Sequence, residues 1–212
     1  MNKVIWLLII SDILILSAFG LIAPIFAIFL NEGIAGGSIT AAGIAATIFF
    51  LVKSITQIPL SIYIDSRKSK LGCLWLGTLL IVAVPFIYAF ATHVKFIYAA
   101  EAVYGLGAAM AYPAWFSLFT KHIDKKHTGF EWSVWSTGVG LGAALTAYLG
   151  AIVAKNYGFD ILFYIVGFVS LLGMIALLFL SNKYLGNVKD GFEKAEKVGV
   201  FLKHKSLNHA RR

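Results

Sequence analysis

"SIYIDSRKSKLG", residues 61–72, sets an acid, Asp65, and three cations, Arg67, Lys68 and Lys70, between two long apolar runs. Of the 212 residues, 59% are hydrophobic and only 13% charged, where a soluble domain carries about 25% charged residues. A chain so poor in charge that gathers it in one short stretch is placing a loop between two membrane spans.

Outward from that loop, each span needs about 20 mostly apolar residues. Residues 4–30, 40–64, 71–91, 96–119, 130–154 and 160–182 meet the requirement. Their connections, "NEGIAGGS", "DSRKSK", "THVK", "KHIDKKHT" and "KNYGF", are short and polar or turn-forming. The expected fold class is therefore all-α, a polytopic membrane protein with a six-helix transmembrane domain (1–184) and a basic tail (185–212). The first run exceeds the roughly 7–15 apolar residues of a signal-peptide core and lacks a clear small-residue cleavage site, so it reads as a retained span. Cys73 is the sole cysteine, which excludes an intrachain disulfide and a cysteine-based metal site.

The net charge of +8 does not point to nucleic acid, because the cations sit in loops and tail rather than on one basic, aromatic-interleaved face. Lys3, the Arg67–Lys70 loop, Lys121, Lys125, Lys126 and the cations from Lys183 onward fall on one side, against Lys95 and Lys155 on the other. The positive-inside bias then places both termini in the cytoplasm, with the plasma (inner) membrane as the expected location. Within the tail, residues 190–205 read either as a surface helix with Phe192, Val198, Phe201 and Leu202 toward the lipids, or as a solvated segment that fixes topology.

The loop also carries a family pattern. Asp65 followed by Arg67, Lys68 and Lys70 resembles the motif between the second and third helices of the major facilitator superfamily, with Ser61 where the family has glycine and Lys68 replacing its internal glycine. "FFLVKSITQIPLSIYID", with Gln57 and Pro59, resembles the family's second helix. "FGLIAPIFAIFL" resembles the end of the first, "EAVYGLGAAMAYPAWFSLF" the fourth, and "STGVGLGAALTAYLGAIVAKNYGFDILFYIVGFV" the fifth and sixth. The family normally has twelve spans in two six-helix halves related by an axis along the membrane normal; this chain resembles the N-terminal half. The resemblance implies a small-solute transporter working by alternating access, completed by a second copy or a second half, with a proton as one candidate for coupling. It also implies that Asp65, Arg67, Lys68 and Lys70 form a cytoplasmic latch, joined in some members by an acid where Glu131 stands. The alternative is a non-transporting membrane interaction protein, or half of a heteromeric carrier.

Asp12, Lys53 and Glu101 fall inside spans, where a charge costs from about 2.5 kcal/mol upward and must face protein or a wet cavity. At 1.5 Å per residue, Asp12 lies about 12 Å and Lys53 about 18 Å from the cytoplasmic ends of their helices. They either line the pathway with Gln57, Asp12 relaying a proton, or form a permanent ion pair. Glu101 occupies the place where the family's proton-coupled drug exporters carry arginine, four residues before a glycine, here Gly105. Such an acid attracts a cationic solute, acts as a proton site or sits in interfacial water. Glu131, at the start of the fifth span, complements the positive end of a helix dipole and pairs with a loop lysine, or takes part in the latch.

Gly138 and Gly142 have the spacing that lets helices approach closely. They read, with Gly105 and Gly150, as packing positions; Thr146 and Ala147 stand where exporters have a proline-containing motif. Trp6, Trp75, Trp115, Trp132 and Trp135 lie toward the cytoplasmic ends as an interfacial belt would. Tyr88, Tyr98, Tyr104, Tyr112 and Tyr148 are candidates for cavity hydroxyls. All five histidines are in loops or tail, and no catalytic constellation, cofactor motif or metal-binding pattern is present. The expected partners are thus a small-molecule substrate, membrane lipids and a second transporter half.

Overall fold

The computed structural model describes residues 1–66 and 70–180; Arg67, Lys68 and the expected tail helix lie outside the described residues. Among the described residues there are seven helices and no strand: α1 (Lys3–Gly20), α2 (Phe26–Glu32), α3 (Ile39–Ser66), α4 (Leu71–Phe90), α5 (Val94–His122), α6 (Thr128–Tyr157) and α7 (Phe159–Leu178). All but α2 are long and apolar enough to cross a bilayer. Helices are the solution available to a chain that must satisfy its backbone polar groups inside each segment in hydrocarbon.

The first span is not one continuous helix. Pro24 has no N–H for the carbonyl of Gly20 and biases Ala23 away from helical geometry. The N–H groups of Leu21, Ile22 and Ile25 bond carbonyls three residues back, at 3.1, 3.1 and 2.9 Å. The chain therefore turns through residues 21–25 before α2 begins.

Side chains and special backbone geometry set the helix ends. Asn2 Oδ1 accepts the Ile5 N–H at 2.9 Å to start α1, and Ser38 Oγ accepts the Ala41 N–H at 3.0 Å at the start of α3, each satisfying a donor the helix leaves unpaired. Gly158, at φ +87°, ends α6 in a conformation that favours glycine. Between α2 and α3, Gly36 (φ +74°) lies against His93, and the Val94 N–H donates to Ala35 O at 3.0 Å.

α5 packs on α3 and α4, α1 on α6 and α7, and α4 on α7. Because lipid is as apolar as leucine, these contacts rest on close packing rather than on escape from water. One aromatic group gathers at the α1–α2 break, where Phe29 meets Phe163 at 4.8 Å and Phe26 meets Tyr88 at 5.2 Å between ring centroids. A second, toward the N-terminal end, joins Trp115, Phe119, Trp132 and Trp135.

Candidate functional site

The two aromatic groups each support a buried acid. Asp12 projects from the middle of α1, and Trp135 on α6 donates its indole N–H to Asp12 Oδ2 at 2.6 Å. The Trp115 ring lies tilted beside that of Trp135 and donates its indole N–H to the main-chain carbonyl of Leu8 at 3.2 Å. Trp115 is therefore a buried structural residue and not a belt anchor, whereas Trp6 is exposed. Beside Asp12 is a cavity of about 20 Å³ walled by Ser11, Thr78, Tyr104, Tyr112 and Trp115. Ser11 Oγ is buried there without a hydrogen-bond partner. A water needs roughly 10–15 Å³ and polar partners, and this space offers both.

Lys53 does not pair with Asp12. Its ammonium lies 4.7 Å from the ring centroid of Tyr112 and 5.7 Å from that of Phe49, contacts that favour a cation electrostatically. Both residues lie beside Tyr112, but the rotation of α3 about its axis aims Lys53 at the aromatic rings of α3 and α5. Gly105 sets that rotation closely: a Cβ there would lie 2.7 Å from Phe49 O and 3.1 Å from Lys53 N. Gln57, one turn further along α3, is half-buried.

Glu101 is the second acid, 5% exposed on α5. The Tyr88 hydroxyl of α4 donates to its Oε1 at 2.7 Å, and no cation of the described residues lies within ion-pair distance. Glu101 lines a cavity of about 190 Å³ with Tyr88, Tyr104, Phe19, Phe26 and the turn at Ile22 and Ala23. Tyr104 walls both cavities, so the two acid sites adjoin through one ring. Of the other tyrosines, Tyr112 lines the Asp12 cavity and Tyr148 is exposed.

At the N-terminal end, Lys70 bridges Asp65 Oδ1 and Ser117 Oγ, each at 2.5 Å, tying the α3–α4 connection to α5. The acid stands in the last turn of α3, where the helix dipole disfavours it, and the ammonium offsets that. Glu131 is buried in the first turn of α6; its Oε2 accepts the Asp124 N–H at 3.1 Å, and the Met1 amino group lies 3.6 Å from its Oε1. Asp124 itself is held below the usual aspartate range by its hydrogen bond with His127, then by the Lys126 N–H.

Along α6, a Cβ at Gly138 would strike Ile13, one at Gly142 would strike Ser17, and one at Gly150 would strike the Leu21 carbonyl. The same helix face therefore lies flush along α1 as far as the break. The sequence did not point to three of these relationships: the Trp135–Asp12 bond, the Tyr88–Glu101 bond and the shared Tyr104 wall. For the Glu101 site the sequence offered the acid itself and Tyr88 and Tyr104 as candidate hydroxyls, while Pro24 marks the turn that lines it.

Six apolar helices with two acids and a lysine held among them define a multi-pass membrane protein. The chain belongs to the major facilitator superfamily, a family of membrane transporters, whose model matches residues 7–210. It is 26% identical over 158 residues to the uncharacterized MFS-type transporter MJ1560 of Methanocaldococcus jannaschii, covering 74% of this chain and 40% of that protein. The in meso crystal structure of the POT family transporter PepTSo shares the fold, with a TM-score of 0.72 at 16% identity over 84% of this chain and 37% of that one. The chain thus spans about 40% of the length of these two proteins.

Proposed function

We propose that the chain forms one six-helix half of a transporter that moves a small solute by alternating access, completed by a second copy of itself. The observation that carries this is the surface of α3 and α6. Only 11% of the most apolar stretch of α3 and 6% of that of α6 is buried, against 39% to 50% for the other four spans. Lipid covers apolar side chains readily, but α3 also presents Lys53 and Gln57, both half-exposed in mid-span. An ammonium there is costly in hydrocarbon and calls for protein or a water-filled pathway beside it.

In this reading Asp12, Lys53, Gln57 and Glu101 line the pathway, and the water-sized cavity beside Asp12 serves proton coupling. The Asp65–Lys70–Ser117 cluster, with Glu131, is the latch on the cytoplasmic side of the plasma membrane, the side that also holds both termini. The latch works only if its contacts differ between the two states.

The test is the native mass of the purified protein in lipid nanodiscs, with a single-cysteine crosslink between exposed α3 positions such as Ile55 in a Cys73→Ser background. A species of twice the 23.1 kDa chain mass, crosslinked through α3, is the expected result. A monomer that crosslinks nowhere along α3 or α6 rejects the homodimer and directs the search to a different partner half.

A further inference from the structure

We propose that the cavity around Glu101 binds a small organic cation carrying an ammonium group. The proposal rests on the reading of the bundle as a transporter half and gives that half a substrate class. It starts from an electrostatic imbalance. Glu101 as a residue is 5% exposed, and none of the described lysines, arginines or histidines forms an ion pair with it. Its Oε1 is taken by the Tyr88 hydroxyl; its Oε2 has no hydrogen-bond donor among the described residues. A carboxylate in such surroundings is served by a cation, a proton or water entering the cavity.

The composition of the walls favours the first. Phe19 and Tyr104 stack at 4.9 Å on one side, and Phe26 and Tyr88 meet at 5.2 Å on another, all four bordering the same space. Aromatic rings around an acid are the composition that recognises ammonium groups, since rings attract a cation without hydrogen-bonding it and suit one that carries methyl groups. A proton site needs no such volume. The space is about 190 Å³ and partly open, whereas a cavity of about 150 Å³ already accommodates a benzene-sized molecule. The Asp12 cavity, at about 20 Å³, has no room for an organic ligand. Specificity therefore divides between charge at Glu101 and shape at the four rings.

The experiment is equilibrium binding of choline, as a soluble quaternary ammonium probe, to the full chain in nanodiscs. 3,3-Dimethylbutan-1-ol, in which carbon replaces the charged nitrogen, is the neutral control. The expected result is saturable choline binding at least tenfold tighter than that of the alcohol. Glu101→Gln, which still accepts the Tyr88 hydroxyl, should weaken choline at least tenfold and leave the alcohol unchanged. Phe26→Leu should weaken choline several-fold with Glu101 intact, which guards against a fold failure in the first variant. Absence of saturable binding, equal binding of the alcohol, or choline binding unaffected by Glu101→Gln each overturns the proposal. Native mass is read on the same particles: a monomer that binds choline sinks the homodimer and keeps the site, and a dimer that ignores choline does the reverse.

Discussion

Asp12 and Glu101 are both carboxylates inside a membrane-spanning bundle, both hydrogen-bonded by an aromatic side chain, and they share Tyr104 as a wall. Their surroundings differ about tenfold in free space, roughly 20 Å³ beside Asp12 and 190 Å³ beside Glu101. The difference follows from the backbone of the first span. At Asp12, α1 is regular and α6 lies flush against it through Gly138 and Gly142. Seven residues beyond Phe19, across the turn at Pro24, Phe26 returns to the same cavity, and the space between them is left open. One broken helix thus places the same chemical group beside a tight cavity and beside a roomy one.

The sharpest way to break that contrast is at Gly150, whose Cα lies against the Leu21 carbonyl at the break. Gly150→Ala drives a methyl group into backbone, which cannot yield as a side chain end can. We expect a loss of about 2–3 kcal/mol, the upper part of the overpacking range, and a distorted Glu101 cavity with weakened choline binding. Gly138→Ala meets only the flexible tip of Ile13, and the roughly 0.8–1 kcal/mol gain in helix propensity should leave it near neutral. Unfolding midpoints of the two variants in detergent, measured side by side, check this; equal losses would show that α6 does not register against the break.

Next in size is the anchoring of the acids themselves. Trp135→Phe removes the donor to Asp12 in a cavity with room for about one water. An unfolding loss of roughly 1–3 kcal/mol is expected, as for other buried polar groups left unpaired. Tyr88→Phe removes the corresponding donor to Glu101, but the larger cavity admits water to replace it, so a loss below about 1 kcal/mol is expected. If Tyr88→Phe proves the costlier, the Glu101 cavity is dry and the two acids do not differ in their access to water.

What was legible in the sequence follows from the range of the forces involved. Each span is a local property of about twenty consecutive residues, so α3 through α7 were readable within a few residues, and the Asp65 loop with them. The break in the first span was concealed because residues 21–25 are as apolar as their neighbours; only Pro24 betrayed it. Asp12 and Lys53 could be assigned to the interiors of their helices, which depends on counting along the chain. Their partners depend on helix rotation and on contacts such as Trp135 to Asp12, more than a hundred positions apart in sequence, and a single sequence does not encode these in any local pattern. Gly105, Gly138, Gly142 and Gly150 could be recognised as small, yet which backbone each one admits was known only from the fold.

The smallest effect belongs outside the spans, in the α5–α6 connection that leads into the first turn of α6, where Glu131 stands. Asp124 is exposed, and its carboxyl is held below the usual range by His127, 2.9 Å away, and by the Lys126 N–H. Because the folded value is lowered, its contribution is complete above the ordinary aspartate pKa of about 3.9 and disappears as pH falls through the lowered folded value. Asp124→Asn should therefore shift the thermal midpoint slightly at pH 5, with the difference from the unaltered protein closing below about pH 4. Solvent screening keeps exposed pairs of this kind weak, so the effect should be well below that of Trp135→Phe. A gap that widens on acidification would mean that Asp124 is stabilised in its protonated form, and that the turn delivering Glu131 to α6 is held by something other than its hydrogen bonds.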